Sequence, residues 1–203
     1  MTEHNPDVAD ATPVEQADIA IGSRLARLRH HPWVEAACKA GEVTDQEPLY
    51  AISSAVLALG VVTRNPRLAG AGVRMMAAVA AADFLKSRVK GAVTRTRPHV
   101  LMDDGRYELD TGGGEEKPEQ SFPSGHTAGA VAAARAISRS YPNAAPWAAL
   151  GAAAGGLTRI AKGAHWPLDV LAGAVTGLAA EAASELALRA ARPLLWRLRP
   201  PPL

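Results

Sequence analysis

Five apolar segments dominate the pattern of hydrophobic and polar positions along the chain. They cover residues 49–63, 68–85, 127–138, 144–157 and 168–188. Each has a helical composition, and proline, glycine or arginine interrupts the apolar pattern between them. The chain shows no internal repeat and no convincing strand-like alternation. We therefore predict an all-α fold, a bundle of about five core helices that are transmembrane.

A further helix is predicted ahead of the core, at residues 14–40. Its apolar residues, such as Ile19 and Leu25, are interleaved with Arg24 and Arg27, which is typical of an amphipathic helix on the bundle or on a membrane surface. An ordinary surface helix would show the same pattern. The preceding polar residues 1–14 are predicted to be disordered. The predicted organisation is a polar tail and amphipathic helix (1–40), a helical domain (41–190) and a basic, proline-rich tail (191–203).

Length, charge and composition narrow the class of protein. The 203 residues suffice for one domain with a sizeable core, and the net charge of +2 gives no reason to expect nucleic acid as a partner. Aromatic residues make up only 4% of the chain, while alanine and glycine crowd its second half. Small residues let helix backbones approach closely, as in membrane bundles. The single cysteine, Cys38, excludes an intramolecular disulfide.

The membrane prediction has arguments on both sides. A full span needs about 20 apolar residues. Several segments are shorter or carry a charge, namely Arg74, Arg135, Glu181 and Glu185. A soluble bundle is therefore the alternative. The segments, however, lack the wide polar face of a soluble surface helix. The N-terminus also lacks the features of a secretory signal peptide, so we do not expect a secreted soluble enzyme.

Three polar clusters interrupt the apolar pattern with groups that suit a phosphate ester. They are Lys90 with Arg97-Pro98, Pro123-Ser124-Gly125-His126, and Arg159 with His165 and Asp169. A transferring phosphoryl group spreads negative charge over three oxygens, and fixed cations and oriented donors stabilise it. Lys90, Arg97 and Arg159 supply the charge. Ser124 and Gly125 open a helix, whose free backbone N–H groups form an anion site.

Two histidines complete the chemistry that these clusters offer. A neutral imidazole can attack phosphorus, and a protonated one can donate to the departing oxygen. His165 and Asp169 are four residues apart and share a helix face, so the carboxylate can hold one ring nitrogen and aim the other. This pairing predicts His165 as the nucleophile and leaves His126 as the acid. Taken singly, each cluster is better explained as a solvated charge, a helix cap or a salt bridge.

Together, and in this order, the three clusters resemble the three-part signature of the type 2 phosphatidic acid phosphatase (PAP2) superfamily, over about residues 49–188. The resemblance implies a helical bundle without metal or cofactor, a phosphohistidine intermediate, and lipid phosphates or diphosphates as substrates. By position, Lys90, Arg97, Ser124, Gly125 and Arg159 would hold the phosphate. His126 would be the general acid, His165 the nucleophile and Asp169 its orienting partner.

One residue departs from the family pattern. Thr158 precedes Arg159 where the family usually has serine. Because both residues carry a hydroxyl, we expect the change to be tolerated, with lower activity if the extra methyl crowds the site.

A long polar stretch rich in glycine and acidic residues lies between 85 and 124. Its acidic part, 101–120, matches no calcium-loop spacing, so we predict a solvated, mobile loop that can also serve as a lid. Substrate specificity is predicted to lie in this loop and in an apolar groove between helices.

The order of the segments predicts which side the site faces. If all five span, they bring the three clusters to one face. The short segments of the opposite face carry arginines and no acidic residue: Arg64, Arg67, Arg139, Arg189, Arg192, Arg197 and Arg199. The positive-inside rule makes that face cytoplasmic. The site would then face the periplasm or exterior of a bacterial inner membrane, although the basic residues at 21–39 favour the reverse.

Three other functions fit the same residues. They are a soluble-substrate acid phosphatase of the same superfamily, a vanadate haloperoxidase with a similar anion site, and a lipid-phosphate-binding protein without activity.

Overall fold

The computed structural model describes residue 8 and residues 11–113 and 116–197, with side chains up to residue 191. Within these ranges it has eight α-helices: α1 (Pro13–Ala26), α2 (Pro32–Gly41), α3 (Gln46–Val62), α4 (Pro66–Lys90), α5 (Pro98–Asp104), α6 (Gly125–Ser140), α7 (Ala145–Ala161) and α8 (Pro167–Arg197). Short 3-10 turns occupy Glu42–Thr44, Lys117–Glu119 and Pro142–Ala144. The predicted helical class is confirmed, and each of the five apolar segments forms a helix (α3, α4, α6, α7 and α8).

The N-terminal region differs from its prediction. Residues 14–40 form two helices instead of one, because proline disfavours helical geometry in the residue before it. His31 accordingly has φ −75° and ψ 131°, and Pro32 begins α2. The predicted disordered tail lies, apart from residue 8 and residues 11–14, outside the described residues. At the other end, α8 continues to Arg197, beyond the predicted end of the helix at 188, and residues 198–203 are outside the description.

Small residues form the centre of the bundle. Helix α4 packs against α3, α6 and α8, and α6 packs against α7 and α8. The buried residues of this core are mainly alanines, including Ala78, Ala82, Ala128, Ala132, Ala136 and Ala180. At Gly60 a Cβ atom would lie 2.2 Å from the backbone nitrogen of Ala69. Helices α3 and α4 can therefore approach this closely only because glycine stands there.

Three of the charges within the apolar segments, Arg74, Glu181 and Glu185, form ion pairs at the end of the bundle where α6 ends. Arg74 Nε donates to Glu185 at 3.1 Å, and Arg139 forms an ion pair with the buried Glu181. These pairs join α4, α6 and α8. A membrane-spanning bundle tolerates charges when they are paired in this way.

Helix lengths support fewer membrane spans than the five predicted. Among the described residues, two helices are long and apolar enough to cross a membrane, Pro66–Lys90 and Pro167–Ala191. Helix α3 is apolar but has 17 residues, while α6 and α7 have 16 and 17. A perpendicular span of the hydrocarbon layer needs about 20 residues, so these three are short.

The long polar stretch contains regular structure that was not predicted. Strands β1 (Val93–Arg95) and β2 (Leu109–Thr111) pair antiparallel on either side of α5. Tyr107 is buried and lies edge-on to Trp166, with 6.0 Å between ring centroids. Because this contact anchors it, the first part of the stretch is folded against the start of α8. The mobility and the lid role predicted for residues 101–120 stay predictions.

Candidate active site

The ends of four helices converge at one end of the bundle and carry the three polar clusters. Helix α4 ends at Lys90, α6 begins at Gly125, α7 ends just after Arg159, and α8 begins between His165 and Asp169. The rings of His126 and His165 lie 6.2 Å apart, centroid to centroid. The structure thus brings the predicted site residues to one face, as the order of the segments required.

His165 is buried, with 1% of its surface exposed, and its orientation is fixed through Nδ1. This nitrogen lies 2.7 Å from the backbone oxygen of Ser121, so it carries the proton and donates, which leaves the lone pair on Nε2. Asp169 Oδ2 is 3.8 Å from Nδ1, beyond hydrogen-bond distance. The direct His165–Asp169 bond expected from the spacing is therefore replaced by a carbonyl, and Asp169 acts on the ring through its charge. Burial lowers the pKa of His165, and Asp169 opposes this effect.

Asp169 is fully buried and organises the residues around the nucleophile. Its carboxylate accepts hydrogen bonds from Ser121 Oγ at 2.5 Å and from the backbone nitrogen of Trp166 at 2.8 Å. Arg95 donates to its other oxygen at 2.7 Å. Ser121 is thus fixed through its side chain and presents its carbonyl to His165. Ser121 and Arg95 were not among the predicted site residues, although each lies within three residues of a predicted cluster.

Arg95 is held between two carboxylates, one of which comes from α1. Its guanidinium donates to Asp169 on one side and to Asp18 on the other, the latter at 2.6 Å. Asp18 also accepts from the backbone nitrogen of Leu168, at the start of α8, at 2.8 Å. Burial raises the pKa of Asp18, whereas Arg95 lowers it. The amphipathic pattern gave no sign of this role, because a polar residue in such a helix is expected to face solvent.

The predicted phosphate-binding side chains line the same space. Lys90 Nζ donates to the backbone oxygen of Gln120 at 2.5 Å. Arg97 directly precedes α5, and its backbone nitrogen donates a hydrogen bond to Pro118 O. Among the described residues, three guanidinium Nε atoms are buried without a hydrogen-bond partner, those of Arg95, Arg97 and Arg159. Arg95 already donates to Asp169 and Asp18 through its other nitrogens. Burial lowers the pKa of Arg97. Buried guanidinium donors without partners are expected to bind an anion.

Ser124 and Gly125 shape the start of α6. The Ser124 hydroxyl is buried and accepts hydrogen bonds from the backbone nitrogen of Thr127 (3.4 Å) and from its hydroxyl (3.0 Å), which caps the helix. A Cβ atom on Gly125 would lie 2.8 Å from Cδ of Lys86. Glycine therefore lets a further lysine approach this helix N-terminus, where backbone N–H groups favour anions.

His126 contacts a carboxylate that was not predicted as part of the site. Its Nε2 lies 2.7 Å from Oδ1 of Asp45, the residue before α3, and the same oxygen accepts from Arg159 at 3.1 Å. His126 lies on the first turn of α6, outside both candidate spans. Burial lowers the pKa of His126 to about 3, and the charges of Arg159 and of a protonated His165 act in the same direction. Burial also raises the pKa of Asp45.

Thr158, the residue that departs from the family pattern, faces α2. Its hydroxyl donates to the backbone oxygen of Gly155 at 2.7 Å, and a Cβ atom on Gly41 would lie 2.7 Å from this hydroxyl oxygen. The methyl is accommodated beside a glycine. Its effect on activity stays a prediction.

Comparison with known proteins decides the family. The sequence profile of the PAP2 superfamily matches residues 71–191, which contain all three clusters. The chain belongs to the PAP2 superfamily. The resemblance from which the site residues were assigned is thereby confirmed, while their individual roles stay proposals.

Two solved structures share the PAP2 fold of this chain. The crystal structure of LpxE from Aquifex aeolicus has a TM-score of 0.56 and 22% identity, covering 81% of this chain and 92% of LpxE. The crystal structure of the first transmembrane PAP2-type phosphatidylglycerolphosphate phosphatase from Bacillus subtilis has a TM-score of 0.57 and 22% identity, with coverage of 87% and 86%. At this identity the likeness shows the fold. No curated protein matches the sequence.

Two carboxylates of the site lie outside the PAP2 match. Asp18 on α1 and Asp45 before α3 both precede residue 71. The N-terminal part of this PAP2 chain therefore contributes charged groups directly to the site.

Proposed function

We propose that the chain is a membrane-bound phosphatase that removes phosphate from a lipid-linked monoester or diphosphate through a phosphohistidine on His165. The observation that carries this proposal is the state of His165. The ring is buried, Nδ1 is committed to Ser121, and Nε2 retains its lone pair beside arginines with unused donors. A neutral imidazole fixed in this way is a prepared nucleophile.

In the first step, Lys90, Arg97 and Arg159 bind the phosphate oxygens, with the N-terminus of α6 as a further anion site. Nε2 of His165 attacks phosphorus, and the bond from phosphorus to the leaving oxygen breaks. His126 gives its proton to that oxygen. In the second step, water attacks phosphorus, the bond from phosphorus to Nε2 of His165 breaks, and His126 takes a proton from this water. Phosphate leaves, and both histidines return to their starting states.

Proton donation by His126 depends on the bound substrate. In the site without an anion, burial and surrounding cations hold the pKa of His126 far below neutral pH. A bound phosphate brings negative charge close to the ring and favours the imidazolium form. Binding of the substrate therefore charges the acid that cleaves it.

An apolar groove beside the site supports a lipid substrate. It has a volume of about 500 Å³ and lies between α7 and α8, with α6 as its floor. The groove begins at Thr127, Gly156 and Val170, each within three residues of a site residue. An acyl or prenyl chain of the substrate fits this setting. The names of the similar structures point the same way, since the Bacillus subtilis protein is called a phosphatidylglycerolphosphate phosphatase.

Exposed apolar side chains support location in a membrane. Large hydrophobic residues cover the outer surfaces of α3, α7 and α8: Leu59, Val61, Val62, Trp147, Leu150, Leu157, Leu171, Val175 and Leu186. Trp147 alone has 75% of its surface exposed. Such a surface is unfavourable in water and favourable against lipid. We place α4 and α8 across the membrane, with the site toward the periplasm or cell exterior.

The proposal is tested by phosphate release from a panel of lipid phosphates, with the purified protein in detergent and EDTA present. We expect wild-type activity to persist in EDTA and the variant His165→Ala to lose at least about 1000-fold. His30→Ala, which removes an exposed histidine away from the site, is expected to retain activity. A requirement for a divalent metal, or full activity of His165→Ala, would contradict the mechanism.

A further inference from the structure

The carboxylate of Asp45 contacts two groups that the proposed mechanism places on either side of the bond to be cleaved. One of its oxygens contacts both the proposed acid, His126, and a proposed phosphate-binding cation, Arg159. We infer that Asp45 is a specificity-determining residue, which favours phosphate monoesters with an uncharged leaving group over diphosphates. This inference rests on the proposed function and concerns which of its substrates the site prefers.

The backbone that carries Asp45 is fixed against α7. Gly41 packs on Thr158, and Thr44 packs on Gly155, where a Cβ atom would lie 2.9 Å from Cγ2 of Thr44. The Thr44 hydroxyl also donates to Gly41 O at 2.7 Å, which closes the turn on itself. The side chain of Asp45 can rotate, since 39% of it is exposed, but the turn holds it beside Arg159. The negative charge of Asp45 therefore stays near the site when a bound phosphate displaces the Asp45 oxygen from its present contacts.

The position of Asp45 places that charge on the leaving-group side. His126 is the proposed proton donor to the leaving oxygen, so a group in contact with His126 neighbours the part of the substrate that departs. A monoester presents a neutral carbon chain there. A diphosphate presents a second phosphate with further negative charge, which a carboxylate at this distance repels.

Neighbouring charges modify this repulsion without cancelling it. Glu42 and Glu47 add negative charge around Asp45, while Arg159 and Lys162 add positive charge. Arg159 is already required by the transferred phosphoryl group. Around His126 itself, Arg97 and Lys86 add positive charge. The discrimination between the two substrate types therefore rests on the one carboxylate that contacts His126 directly, that of Asp45.

The test compares binding of inorganic phosphate and of inorganic pyrophosphate by calorimetry, in the full-length protein in detergent. The isosteric variant Asp45→Asn is expected to strengthen pyrophosphate binding about tenfold more than phosphate binding, because one repulsive charge is removed. The control Glu47→Gln removes the same charge from an exposed residue two positions away, and its ratio of the two affinities is expected to change by less than about twofold. Asp45→Glu retains the charge and should retain the wild-type ratio.

Other outcomes would overturn the inference about Asp45 or the proposed phosphate site. An unchanged ratio in Asp45→Asn, or an equal change in Glu47→Gln, would overturn the inference and leave the phosphatase proposal standing. Loss of affinity for both anions in Asp45→Asn would overturn it as well, and would make Asp45 a positioning residue for His126. If the wild-type protein binds neither anion, the phosphate site itself is wrong.

Discussion

The two histidines of the site are neutral for partly different reasons. His165 is enclosed by the protein, with Nδ1 donating to a carbonyl. For His126 burial is again the main cause, and the charges of Arg159, Arg97 and Lys86 add to it. A nucleophile needs a lone pair, so the neutral state suits His165 throughout the reaction. An acid needs a proton, so the environment of His126 must change when substrate binds.

This change predicts uptake of protons on anion binding. Sulfate is a suitable probe because it carries a fixed charge of −2 near neutral pH. Sulfate binding raises the pKa of His126 from about 3, so at pH 6 the wild-type protein should take up a fraction of a proton. Calorimetric titrations in two buffers with different ionisation enthalpies measure this uptake.

The control for this titration is His126→Asn, which removes the titrating ring and retains an amide near Asp45. Its sulfate binding should show a smaller proton uptake than that of the wild type. Equal uptake by both proteins would show that another group, such as Asp45, takes the proton, and the proposed activation of His126 by substrate would be wrong.

The residues proposed to bind phosphate were predictable from sequence, and those that support them were not. Lys90, Arg97 and Arg159 stand out because each is a cation in one of the polar clusters that interrupt the apolar pattern. Asp18 and Asp45 have polar neighbours in the sequence, where an acidic residue gives no indication of a functional role. Their contacts with Arg95 and His126 depend on how α1 and the turn before α3 pack on the bundle, which local sequence does not specify.

At the scale of elements, apolar periodicity predicted the five core helices and missed the short ones. The core helices are long apolar segments whose buried residues are mainly alanines, and such segments leave a strong pattern in the sequence. The strands β1 and β2 have three residues each, too few for an alternation to be recognised. The break at Pro32 was visible in the sequence, and the rule for residues before proline would have divided the N-terminal helix correctly.

The groove between α7 and α8 gives a prediction for the choice of lipid chain. Ala153 lies on its wall, and Ala153→Phe would fill part of the groove. Each buried CH2 group contributes about 0.8 kcal/mol, so displacing two of them should lower kcat/KM for a long-chain lipid phosphate about tenfold. Hydrolysis of a short-chain, water-soluble phosphate should be unaffected.

A neighbouring alanine provides the matched control. Ala154 is exposed on the same helix and is not part of the groove wall, so Ala154→Phe should leave both activities near those of the wild type. If Ala153→Phe lowers long-chain and short-chain hydrolysis equally, the groove does not hold the chain and the substitution has disturbed the site instead.

At the scale of the whole molecule, the two ends of the bundle differ in chemistry. One end collects the histidines and the unpaired donors of Arg97 and Arg159. The other end holds ion pairs between α4, α6 and α8. The alanine-rich core and the exposed apolar surface lie between them. This arrangement fits a protein that meets the headgroup of a lipid at one membrane surface only.

The order of the segments predicted this polarity correctly, although helix lengths support only two spans. The three clusters meet at one face if consecutive core helices run antiparallel. Short connections favour this arrangement between α3 and α4, between α6 and α7, and between α7 and α8, whereas the long polar stretch joins α4 to α6. Span length is a separate property, set by how many residues each helix contains. The sequence therefore predicted the common face of the three clusters without predicting the depth of each helix in a membrane.

The central claim is that phosphate passes through His165, and the most direct measurement is identification of the phosphorylated residue during turnover. The wild-type protein is mixed with a labelled lipid phosphate, quenched in alkaline denaturant, and digested for mass spectrometry. The proposed mechanism predicts a phosphoryl group on the ring of His165 and none on the protein in His165→Ala. Turnover without a labelled protein, or a label on another residue, would contradict it.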